Sequence, residues 1–191
     1  MVAITVFSSQ TKNKIIRLLY SSPNQAFHMR QIERLVKERI NSVREALLSL
    51  NKAGFINREK IGRKILFQAN QNCLFYDEVL RMVGKQTGLG ERIIKERLRL
   101  GKIKVAFLTG NFYQKQERVS EEIDLFVVGT VSVPELAKIT MEEGKRLGIE
   151  INYSAMTYEE FSFRQKNKDP FLSNILQKNR LLLLGKEEFL R

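Results

Sequence analysis

Residues 110–129 read GNFYQKQERVSEEIDLFVVG, and their types and spacing can do chemistry. Gly110 closes an apolar run, and a glycine lets a backbone approach phosphate oxygens. Asn111 follows it with an amide, bulkier than a hydroxyl. Ten residues separate Asn111 from Glu122, and Glu122 stands two positions before Asp124 at the head of a second apolar run. Carboxylates at i and i+2 of a strand share a face, and such a pair can grip Mg²⁺. The corresponding chemistry is phosphoryl transfer, which depends on metal and charge placement. A structural zinc site within one chain and a disulfide framework are excluded: His28 and Cys73 are the only residues of their types. A lone thiol fits a reducing cytoplasm.

The elements that must position these residues follow from the apolar pattern. KVAFLTG (104–110) and IDLFVVG (123–129) read as buried strands. PELAKITMEEGKRLG is a helix with Pro134 near its first position and Gly148 past its end. EINYSAMT (150–157) is a third strand. Alternation puts Ile151, Tyr153 and Ala155 on one face and Glu150, Asn152 and Ser154 on the other. Thr157–Glu160 forms a capping box, Asp169-Pro170 opens another helix, and RLLLLG (180–185) is a last strand. Strands alternating with helices predict a sheet domain over 102–191.

The front of the chain is different in charge. Residues 1–68 hold 13 Lys/Arg against 4 Asp/Glu, whereas residues 106–191 hold 12 against 13. The net charge of +12 is therefore concentrated in the front half, and such asymmetry points to a polyanion partner. Three helical patterns come first: Ile15, Ile16, Leu18 and Leu19, ended by Pro23; Met29, Ile32, Leu35 and Val36; and Val43, Ala46, Leu47 and Leu50. Ser42 and Glu45 have the spacing of a capping box, and Gly54 stands where a helix end favours a left-handed residue. FINREKIGRKILFQ then reads as a hairpin around Gly62. Helix, helix, helix, hairpin is the order of a winged helix-turn-helix, predicted over 1–70, with its third helix in the major groove of double-stranded DNA. Asn41, Ser42, Arg44 and Ser49 are then available for base edges, and Leu48 for a thymine methyl or for packing. Arg30 and Gln31 can hold a phosphate, and Arg58, Lys60, Arg63 and Lys64 make a basic wing. INSVREALLSLNKAGFINREKIGRKILFQAN resembles bacterial and archaeal winged-helix regulators throughout.

Residues 71–101 read as a helical connector. NCLFYDEVLRMVGKQTG places Leu74, Val79, Leu80, Met82 and Val83 on one helix, and GERIIKERLRLGKI is a second. The second carries Arg92, Lys95, Arg97, Arg99, Lys102 and Lys104, the other basic element of the chain. By analogy with winged-helix regulators, the helix over 74–86 is the expected homodimer contact.

The order strand, Gly-x, loop, [Asp/Glu]-x-Asp, strand resembles the nucleotidyltransferase fold shared by polymerase beta and the minimal nucleotidyltransferases. The resemblance implies that Gly110-Asn111 stands for that family's Gly-Ser and Glu122-Ile-Asp124 for its Asp-x-Asp. It also implies a third acid on the strand at 150–156, where this chain has neutral Asn152, with Glu150 at the strand edge. The family's loop carries small residues and Arg after Gly-Ser; here it reads FYQKQER, with Arg118 alone. Glu122 lengthens one metal arm, and Mg²⁺ holds closely to octahedral geometry. Three altered positions imply a degenerate site that requires no cofactor.

The whole chain resembles a prokaryotic group of two-domain transcriptional regulators. The expectation is an α+β protein: a winged helix, a helical connector, and a nucleotidyltransferase-like domain with a mixed sheet. That domain would sense a nucleotide, dimerise or bind a protein partner. The alternative is an active enzyme that uses Mg²⁺ on Glu122 and Asp124 and a nucleoside triphosphate to modify a protein or RNA. The start of the chain lacks the charged region and cleavage site of a secretory signal, and no stretch approaches the ~18 apolar residues that span a bilayer, so no membrane contact is expected.

Overall fold

A computed structural model describes residues 8–116 and 122–190. The chain is α+β and divides into two units, Met1–Val83 and Gly84–Arg191.

The first unit opens with helix α1 (Gln10–Ser21), the two-residue strand β1 (Phe27–His28), and helices α2 (Met29–Val36) and α3 (Ile40–Lys52). Strands β2 (Ile56–Ile61) and β3 (Lys64–Ala69) follow as a hairpin, and the antiparallel sheet has the order β1-β3-β2. Most of the expected apolar stripes form its core: Ile15, Ile16 and Leu19 of α1, Ile32 and Val36 of α2, and Val43, Ala46, Leu47 and Leu50 of α3 are buried, whereas Leu35 of the expected α2 stripe is 53% exposed. The buried Tyr20 hydroxyl donates to the Phe55 carbonyl at 2.9 Å. Burial pushes its phenol well above the usual tyrosine range.

Two turns set the frame. Gly54 is left-handed (φ 78°), its N–H donates to Asn51 O, and the Phe55 N–H donates to Leu50 O. That is a Schellman closure of α3, as the glycine predicts. Gly62 (φ 59°) turns the hairpin between the paired residues Ile61 and Lys64, a two-residue connection. The capping box at Ser42 is not formed. The Val43 N–H already donates to Arg39 O, so Ser42 lies inside the helix, whereas a cap residue needs extended backbone. Arg39 is the N-cap and makes no side-chain cap.

Helix α4 (Tyr76–Gln86) carries the chain into the second unit. There α5 (Gly88–Lys95) and α6 (Arg97–Leu100) precede strand β4 (Gly101–Thr109), the short helix α7 (Gly110–Gln114), strand β5 (Leu125–Val131) and helix α8 (Val133–Leu147). Strand β6 (Tyr153–Met156), helices α9 (Tyr158–Lys166) and α10 (Pro170–Gln177), strand β7 (Arg180–Leu184) and a 3-10 turn (Glu187–Leu190) complete it. The sheet order is β6-β5-β4-β7; β5 and β6 are parallel and the other pairs antiparallel. One face packs Phe107, Phe126 and Val128 against Phe161, Leu172 and Ile175 of α9 and α10.

The single helix expected from Gly90 to Ile103 is instead broken at Glu96 and ends at Leu100. Gly101 (φ 117°) turns the chain, and Lys102 and Ile103 already pair with Thr130 and Gly129. Leu98 and Leu100 simulate a helical stripe there, yet Leu98 is 87% exposed. The caps at Thr157 and Asp169 and the left-handed Gly148 end of α8 form as predicted. Among the described residues no helix is long and apolar enough to cross a membrane.

Candidate nucleic-acid interface and carboxylate corner

Helix α3 turns about 100° per residue, so Val43, Ala46, Leu47 and Leu50 share one side and Asn41, Arg44, Glu45 and Leu48 the other. Asn41, Arg44 and Glu45 are exposed, and Leu48 is 54% exposed. Ser42 and Ser49 lie on the flanks, half-buried. Glu45 was assigned to the capping box by its spacing alone. With no box formed, its carboxylate belongs to the outward stripe, where it can accept from a cytosine amino group and repels phosphate. Arg30 is exposed on the first turn of α2. Gln31 is half-buried there, and its N–H donates to Nδ1 of His28, the cap of that helix, at 3.1 Å.

The hairpin places Arg58 and Lys60 on β2, Arg63 at the turn and Lys64 at the start of β3, all exposed. Among the described residues none of Arg30, Arg44, Arg58, Lys60, Arg63 and Lys64 has a carboxylate partner, whereas Lys14 pairs with Glu38 at 2.6 Å. Cations left unpaired at a surface keep their field for a partner.

The second group converges at one end of the second unit's sheet: the end of β4 and the starts of β5, β6 and β7. Gly110 begins α7, and a Cβ built on it would lie 3.0 Å from both Cβ and O of Asn179. Packing against the chain before β7 thus accounts for the glycine. Asn111 donates from Nδ2 to Glu122 Oε2 at 2.8 Å, and Lys178 Nζ meets Glu122 Oε1 at 2.5 Å. Asp124 is 1% exposed. Its Oδ2 accepts the Asn152 N–H at 2.8 Å, and its own N–H donates to Asn152 O at 2.8 Å. The Asn152 amide donates to Glu122 O at 3.1 Å. Asp124 and Asn152 therefore join the starts of β5 and β6.

All five predicted residues come together, but not as strand faces. Glu122 and Asp124 precede β5, and Asn152 precedes β6. Glu150 is exposed and lines a different groove, beside Tyr153 and α8. Arg118 lies outside the described residues. Lys178 and Asn179 complete the corner, and sequence reasoning missed them. Their only signal was position just ahead of the last strand. A cavity of about 410 Å³ opens here, lined among others by Asn111, Gln114, Gln116, Glu122 and Lys178.

A Mg²⁺ ion would compete here with protein donors for the carboxylate oxygens. The ion needs oxygen ligands in a strict octahedron. Both Glu122 oxygens already accept from nitrogen donors, one of them a cation, and a buried Asp124 oxygen is committed to a backbone N–H. Among the described residues no three His, Cys, Asp or Glu are grouped to hold a metal ion.

No protein-family model matches the chain, and no curated protein matches it. Among solved structures it is similar to the ferric uptake regulator of Francisella tularensis with iron, at 10% identity and a TM-score of 0.33, over 82% of this chain and 93% of that chain. Similarity of this degree assigns neither fold nor function.

Proposed function

We propose that the first unit is a winged helix that binds duplex DNA and that the protein is a transcriptional regulator. The observation that carries this reading is the set of exposed, unpaired cations on α2, α3 and the hairpin. α3 is the helix for the major groove, with Asn41 and Arg44 suited to adenine and guanine edges, and the basic hairpin follows the backbone beside it. A helix reader of this kind recognises two half-sites as a homodimer. Leu74 (86% exposed) and Phe75 (53% exposed), just ahead of α4, are the apolar residues such a contact would cover.

The second unit is proposed as a nucleotidyltransferase-like domain without transfer chemistry, retained for ligand sensing, dimerisation or partner binding. Support comes from the convergence of Gly110, Asn111, Glu122, Asp124 and Asn152, and from carboxylates already spent on protein donors. Gel-shift titration of the full chain on duplex DNA tests the first part. Binding at low salt is expected, weakening steeply as salt rises. Incubation with labelled nucleoside triphosphate and Mg²⁺ tests the second, and label on protein or RNA would overturn it.

A further inference from the structure

The stretch Arg97–Lys104 holds four cations and no acid, and the function above uses none of them. Arg99 of this stretch, and the cations just before it, are neutralised inside the second unit. Arg92 meets Glu96 and Glu142, Lys95 meets Glu91, and Arg99 meets Glu96 and Glu135. Lys102 and Lys104, exposed at the start of β4, have no partner among the described residues. Beside them β5 ends in Gly129, Thr130 and Val131, which bring no carboxylate. Gly185 rests against the Lys104 carbonyl, closely enough to exclude any side chain, and so brings exposed Lys186 to the same place. Glu187, the next acid, is held by Arg180, while Glu188 stays exposed. This cationic strip lies at the end of the sheet opposite the carboxylate corner, since Gly110 follows the far end of β4.

We infer that Lys102, Lys104 and Lys186 form a second surface for the phosphate backbone of duplex DNA, carried by the second unit. The inference rests on the proposed DNA binding. It adds a sequence-independent contact that reading by α3 does not require. Charge complementarity selects the partner: cations concentrated without acids take a polyanion. Lysine at a strand margin also guards against edge-to-edge pairing, a role that concerns aggregation rather than DNA.

The test is the salt dependence of affinity for a random-sequence duplex, measured by fluorescence anisotropy on the full chain. Wild type is compared with the triple variant Lys102→Ala, Lys104→Ala, Lys186→Ala and with Arg63→Ala, Lys64→Ala, each first shown folded by thermal melting. Each lost phosphate contact reduces the slope of log K against log salt by about 0.9, so the triple variant falls by about 2 to 3. A wild-type slope in the triple variant, with or without increased aggregation, overturns the inference and leaves the regulator reading intact. A reduced slope in the triple variant alone, with Arg63→Ala, Lys64→Ala unchanged, supports the strip and contradicts the winged-helix reading. Absence of binding by wild type overturns both.

Discussion

Arg44 and Glu45 sit side by side on the outer stripe of α3, and their charges make opposite predictions. Arg44→Ala removes the side chain suited to guanine, so affinity for the selected site falls by about 1–3 kcal/mol while affinity for random duplex changes far less. Lys64→Ala on the hairpin weakens both kinds of duplex alike and lowers the salt slope by about 1. Parallel anisotropy titrations of the two variants on selected and random duplexes check both. Glu45→Gln removes a charge that repels phosphate. It strengthens random-duplex binding, and base selection from a randomised library loses preference at one position. At the other site, Asp124 joins the starts of β5 and β6 through Asn152. Asp124→Ala removes the carboxylate that accepts from the half-buried Asn152 N–H and costs about 1–3 kcal/mol in chemical denaturation. The convergence of Glu122 with Asn111 was legible from types and spacing. Lys178 was not, because it lies 56 positions after Glu122 and only the pairing of β7 with β4 brings it there.

At the scale of elements, terminators were more legible than starts. Gly54 and Gly148 announce left-handed ends because few other residues adopt that backbone without strain. Gly54→Ala meets no neighbouring atom, so its cost is the backbone alone, about 1 kcal/mol or somewhat more by thermal melting. The start of α3 was misplaced because Ser42 and Glu45 satisfy the capping pattern while backbone bonding begins at Arg39. Strand β4 was extended past its predicted start because Lys102 and Lys104 alternate with Ile103 and Val105 only after Gly101 has ended the helix. Tyr20 ties α1 to the turn after α3, and its titration has a clear sign. Its folded pKa is raised above the unfolded value near 10, so its contribution is complete below pH 10. As pH rises above 10 the unfolded state loses the proton first, and stability falls by about 1.4 kcal/mol per unit from this residue. Tyr20→Phe is less stable at neutral pH by about 1 kcal/mol for the lost hydrogen bond, yet shows a shallower decline above pH 10. Denaturation midpoints of both proteins across that range check the sign.

For the whole molecule, the asymmetric charge was the most informative quantity in the sequence. It marked the first unit as the basic part of the chain before any element was placed. It did not distinguish cations already spent on carboxylates, such as Arg92 and Arg99, from those left unpaired on the hairpin, because ion pairing is a tertiary property. The proposed homodimer rests on the logic of half-sites, and Leu74→Asp with Phe75→Asp should shift sedimentation from dimer toward monomer. The central claim is that unpaired cations of the first unit bind duplex DNA. Its most direct measurement is anisotropy of a labelled random-sequence duplex, titrated with the full chain at a series of salt concentrations. Binding at low salt and a log–log slope of about −4 or steeper are expected. No binding at low salt, or an affinity indifferent to salt, would contradict the claim.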